Sequence, residues 1–214
     1  MDWQFIFHHL ICGYISVVVA LAVYFALLRV MGRKQTVCHI IASFVFCFYL
    51  VGILTITGVC IGGSFSPRIV YIPFLDMIKG PVDTALNILL FVPLGFFLPF
   101  LYKKYDSIGK IALVGILVSL SIEIAQMFGT GATDINDLIT NTVGACLGFI
   151  IYKLLHKVIP KPWMKQIKVD GAQCYYELLI FWIGTLLIML TVQISIFHAV
   201  FAAKGIGGEI QEWN

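Results

Sequence analysis

Charge is what this chain has least of. Its 14 Lys and Arg and 11 Asp and Glu make up 12% of 214 residues, about half of the roughly 25% usual in soluble domains. That scarcity excludes an ordinary water-soluble fold. The net charge of +3 is small and spread over several segments, which argues against a nucleic-acid-binding surface. Metal-ligand spacing is also missing. The six cysteines (Cys12, Cys38, Cys47, Cys60, Cys146 and Cys174) form no CxxC pair. Most lie in apolar runs, where cysteine behaves as a small hydrophobe, so no disulfide framework is expected. His39, His156 and His198 stand alone and the tandem His8-His9 reads as interfacial, so no histidine metal site is expected. HExxH, a phosphatase-like Arg/His set and an obvious nucleophile are all lacking, as are internal repeats and low-complexity linkers. The first residues, MDWQFIFHH, are not basic, so no cleavable signal peptide is expected.

What fills the chain instead is hydrocarbon. Apolar residues make up 60% of it, in runs of close to twenty, the length that crosses a bilayer. Six spans are predicted, over residues 10–28, 40–61, 84–102, 108–128, 135–155 and 176–201. The expected fold class is all-α, a polytopic membrane helix bundle forming one integral domain over residues 1–214. Eleven of the 14 basic residues fall in the three loops after spans one, three and five. Since Lys and Arg stay on the cytoplasmic side, both termini are expected to be extracytoplasmic. The basic connector 157–170, with Pro160 and Pro162, reads as a solvated, lipid-facing inner loop. Trp3, Trp163, Trp182 and Trp213 read as interfacial anchors near span ends.

Within this scaffold one stretch carries polar groups where they are expensive. Residues 119–148 read SLSIEIAQMFGTGATDINDLITNTVGACLG. An ionisable side chain inside a span marks a candidate functional site. Ser119, Glu123 and Gln126 are spaced i, i+4, i+7 and share one face of span four. Asp134, Asp137 and Asn141 are spaced i, i+3, i+7 and share one face of span five. Glu123 lies about five residues, or ~7 Å, from the outer end of its span. Asn87, in the first turn of span three, falls in the same layer. The product expected is a polar pocket opening to the outer face, with Glu123 and Asp137 as catalytic candidates. Asn87, Gln126, Asp134, Asn141 and Arg68 are the candidate substrate-binding residues.

Each feature also has a structural reading. Asp134 can serve as an N-cap and Asp137 can complement the helix dipole. Glu123 and Gln126 can hydrogen-bond Asn87 or Asn141 and simply hold the bundle together. Gly144 and Gly148 form a small-xxx-small pair for close packing, and Pro93 with Gly95 permits bending or close approach in span three.

The linked order of these pieces resembles the VanZ family of bacterial membrane proteins. The pieces are Ile72-Pro73-Phe74, Asn87 with Phe91-Val92-Pro93-Leu94-Gly95, Glu123-Ile-Ala-Gln126, Thr133-Asp134-Ile-Asn-Asp137, and Asn141-Thr-Val-Gly144 with Gly148. They define a core over residues 72–155. Many members have a basic residue where this chain has Gly131-Ala132 and an acid where it has Asn136, leaving Arg68 to pair an anion at that turn. The resemblance implies a multi-span cell-membrane protein associated with tolerance to teicoplanin and its lipidated relatives. Its expected partners are membrane lipids, with a lipid-linked envelope precursor or a lipoglycopeptide as ligand, and no cofactor is expected. Two alternatives stand beside it. One is an intramembrane enzyme acting on such a precursor or on a phospholipid head group, in which Glu123 or Asp137 is a general base or a divalent-cation ligand. The other is a small transporter or flippase, against which stand the lack of inverted repeats and the single outer polar layer.

Overall fold

The computed structural model describes residues 3–59, 69–70, 80–127, 133–191 and 195. Among these, seven α-helices follow in order: α1 Trp3–Val30, α2 Val37–Ile56, α3 Pro81–Leu101, α4 Ile108–Gln126, α5 Ile135–Leu155, α6 Lys161–Ile167 and α7 Gln173–Leu190. All but α6 are long and apolar enough to cross a membrane, so the chain is an all-α, six-span bundle. The sixth span was expected to run to residue 201; its described helix stops at Leu190, and 192–194 and 196–214 lie outside the described residues.

Local chemistry sets the helix ends. The α1 helix closes on Gly32 at φ 75°, with Gly32 N–H donating to Arg29 O at 3.1 Å and Arg33 N–H to Leu28 O at 2.9 Å. That is the paired closure a left-handed glycine permits. Thr36 opens α2 by accepting from His39 N–H at 3.3 Å. Pro81 opens α3, at a position where its missing N–H costs nothing.

The two ends of the bundle are tied differently. At one end, β1 (Ile69–Val70) pairs in parallel with β2 (Thr133–Asp134), joining the α2–α3 segment to the α4–α5 turn. At the other, Lys103 N–H donates to Val169 O at 3.0 Å and Val169 N–H to Leu101 O at 2.8 Å. Ion pairs stud this second end: Asp106 meets Lys153 at 2.6 Å and Lys168 at 4.0 Å, and Lys103 meets Asp170 at 2.9 Å. Burial lowers the pKa of the part-buried Lys168 ammonium, while Asp106 pulls it the other way.

Packing is tightest between α3 and α5. A Cβ on Gly144 would overlap the carbonyl of Ile88, one on Gly148 that of Val92, and one on Gly95 that of Ala145. The glycines therefore bring two backbones into contact, the arrangement that substitutes for a hydrophobic drive inside lipid. Phe46, Leu50 and Leu54 of α2 and Phe91, Leu94 and Leu98 of α3 are fully buried beside this seam. Outside, Ile11, Ile15, Val19, Val23 and Leu27 of α1 form an exposed row at i, i+4 spacing, a face suited to acyl chains rather than water.

Two expectations need correction. The connector 157–170 is not wholly solvated: it folds into α6, buries Met164 and docks on α2, where Thr36 Oγ1 donates to Gln166 O and Cys38 Sγ to Gln166 Oε1 at 3.2 Å. Trp182 is no interfacial anchor. It sits in mid-α7, buried, with its indole N–H donating to Ser121 Oγ at 3.1 Å. His9, near the start of the first span, is buried.

Candidate functional site

The polar side chains of α3, α4 and α5 meet near the end of the bundle that carries β1 and β2. Each helix runs through apolar packing until its last two or three turns at this end, and there polar residues replace aliphatic ones. Asn87 Nδ2 donates to Asp137 Oδ1 at 2.6 Å, joining α3 to α5. Asn141 Nδ2 donates to Ser119 Oγ at 2.9 Å, joining α5 to α4. Gln126 Nε2 donates to the carbonyl of Thr57 at 2.8 Å, joining α4 to the end of α2. Glu123, one turn from Ser119 on the same face of α4, is 4% exposed, and Asn136 and Thr140 of α5 are equally buried.

These bonds redistribute the partners expected from spacing alone. Asn87 takes Asp137, and Asn141 takes Ser119. Asp134 directly precedes α5 and pairs through its backbone in β2; its side chain lies outside the described residues, as do Arg68, the segment 72–74 and Gly131-Ala132.

The layer is short of donors. Each amide nitrogen gives one hydrogen to a neighbouring helix, while Asn141 Oδ1 and Gln126 Oε1 are buried with no hydrogen-bond partner among the described residues. A buried acceptor left unmatched costs about 1–3 kcal/mol and calls for an explanation such as a ligand or water. Together with the carboxylates of Glu123 and Asp137, these oxygens can receive hydroxyl, amide or ammonium hydrogens. Among the described residues no group of three or more His, Cys, Asp or Glu converges to hold a metal ion.

A second polar centre escaped the sequence reading. His39 does not stand alone: its Nε2 lies 2.6 Å from Glu177 Oε1, and its Nδ1 lies 2.7 Å from the carbonyl of Ile167. Both side chains are essentially inaccessible. A carbonyl can only accept, so Nδ1 carries a hydrogen, and one further proton lies between Nε2 and Oε1. Glu177 also accepts from Tyr102 at 3.2 Å, Tyr24 at 3.3 Å and Gln173 at 3.3 Å. This cluster sits at the opposite end from the polar layer and binds α1, α2, α6 and α7 to the end of α3. Ser43 Oγ is 3.4 Å from the same Nε2 that faces Glu177, so His39 has no free nitrogen to activate it. The only sequence signal was a carboxylate just inside an apolar run, placed at the mouth of span six.

The model of the VanZ/LLP1 family matches residues 9–156, which hold most of α1 and all of α2 through α5 with the polar side chains they bring together. The chain belongs to the VanZ/LLP1 family. Protein VanZ of Enterococcus faecium is 39% identical to it over 105 residues, covering 49% of this chain and 57% of that protein. The match thus spans somewhat more than half the length of this relative. No solved structure matches the chain. Membership in the VanZ/LLP1 family and six apolar helices make it a multi-pass membrane protein.

Proposed function

We propose that this VanZ-type chain raises bacterial tolerance to teicoplanin and its lipidated relatives through the polar layer of α3, α4 and α5, which opens to the extracytoplasmic side. The observation that carries the reading is the convergence of Asn87, Asp137, Asn141, Ser119 and Glu123 from three helices, with a buried acceptor left over on Asn141. Structural glue alone would be expected to close its own hydrogen bonds. An outward orientation is supported by the eleven basic residues in loops at the opposite end. In this reading the ligand is a donor-rich amphiphile at the outer leaflet, a lipoglycopeptide or the lipid-linked envelope precursor on which it acts, and membrane lipids surround the bundle. Glu123 and Asp137 supply charge, while Asn87, Gln126 and Asn141 supply directional contacts. Arg68, one residue before β1 in sequence, and Asp134, in β2, are proposed for the same site.

The test is the teicoplanin and vancomycin sensitivity of a susceptible bacterium expressing the full chain. A severalfold rise in teicoplanin tolerance over an empty control is expected. An unchanged sensitivity at verified membrane levels would refute the proposal.

A further inference from the structure

The corner between α1 and α2 has a chemistry that the polar layer does not use. Phe25, Arg29, Arg33, Lys34, Gln35 and Ile40 line a recess of about 230 Å³, several times the roughly 30 Å³ share of one water molecule. Three cations surround it. Among the described residues none of Arg29, Arg33 and Lys34 pairs with a carboxylate, whereas Lys103, Lys153 and Lys168 at the same end each face Asp106 or Asp170. The corner therefore keeps its positive charge while the neighbouring connector neutralises part of its own.

The backbone holds this charge in place. The left-handed Gly32 and its two closing bonds fix how Arg29 and Arg33 leave the end of α1. The recess also adjoins the start of α2, where the positive end of the helix dipole adds to the field. Its apolar wall, Phe25, is stacked on Phe44 with ring centroids 6.3 Å apart. The adjoining stretches of chain carry exposed apolar residues too: Val30 and Met31 between the two arginines and Val37 at the start of α2 are at least 69% exposed. Exposed apolar residues of this kind belong among lipid head groups and upper acyl chains, not in open water.

We propose that this recess binds the phosphate of an anionic phospholipid. Arg29 and Arg33 offer planar donor forks suited to phosphate oxygens, and Lys34 adds a point charge. Phe25 and Ile40 take the glycerol and the first methylenes. The site lies at the opposite end of the bundle from the polar layer and does not depend on the antibiotic reading.

The experiment uses the purified full chain in neutral detergent, with retained lipid counted by native mass spectrometry. Dioleoylphosphatidylglycerol, dioleoylphosphatidylcholine and inorganic phosphate are the probes. The wild type is expected to retain phosphatidylglycerol over phosphatidylcholine by about tenfold, and R29Q/R33Q to lose that preference to within about twofold. The variant K157Q/K161Q removes the same charge from the connector and is expected to keep the preference. If R29Q/R33Q does not yield a monodisperse protein, R29K/R33K keeps the charge but loses the forks, and its preference should fall at least about twofold. Equal loss in the corner and connector variants, or no preference in the wild type, would overturn the proposal. Displacement of the lipid by millimolar phosphate alone would overturn the lipid assignment in favour of a free anion.

Discussion

Glu177 and His39 hold each other across 138 residues of sequence, and removing either leaves the other buried without its shortest contact. Breaking such a pair on one side costs about 3–5 kcal/mol, whereas replacing both partners by apolar residues is often neutral. His39→Leu and Glu177→Leu should each lower the thermal unfolding midpoint in detergent sharply. The double variant should lose clearly less than the two losses summed but not recover fully, because Tyr24, Tyr102 and Gln173 still lose their acceptor. A double variant as unstable as the two losses summed would contradict the pairing. The polar layer should behave differently. Ser119→Ala removes one interhelical hydrogen bond, worth about 0.6 and at most about 1.7 kcal/mol, so the same measurement should show only a small shift. The depth and facing of Glu123, Asp137 and Asn141 could be read from helical spacing, because each interrupts an apolar run. Their partners could not. Whether Asn141 meets Ser119 or Glu123 depends on the rotation of α5, which its contact with α3 sets. Glu177 stayed hidden because a carboxylate two or three residues inside a span reads as an interfacial group until its partner is known.

At the scale of elements, the α3–α5 seam is the feature most sensitive to volume. Gly144→Val and Gly148→Val place carbons against the carbonyls of Ile88 and Val92, where backbone, not a flexible side chain, would have to move. Each should cost more than the about 1–3 kcal/mol typical of overpacking, read as loss of monodisperse protein or a much lower unfolding midpoint. Gly184→Ala in α7 meets nothing within 4 Å and should be neutral or stabilising by up to about 1 kcal/mol. Near-normal stability of the two seam variants would contradict the close approach. The seam was legible as a Gly-xxx-Gly pattern, and the six spans were legible from apolar length alone. The short helix α6 was not. Seven residues that follow Pro160 and include Pro162 show no helical periodicity, and the helix docks through Thr36, Cys38, His39 and a single buried Met164.

At the scale of the molecule, family membership and six spans are secure, and orientation is the first inference to test. In a cysteine-free background, Val82→Cys at the start of α3 should react with an impermeant maleimide in intact cells. Val158→Cys, beyond α5, should react only after permeabilisation. Both sites are exposed, so the reverse pattern would invert the topology and remove the outer pocket. The claim that the polar layer acts, rather than merely binding helices together, is tested most directly by teicoplanin sensitivity in cells expressing wild-type, Glu123→Gln and Asp137→Asn forms at matched membrane levels. These replacements keep shape and remove charge. The account predicts that the wild type protects and that both variants lose most of the protection while remaining folded. Undiminished protection by both variants would contradict it.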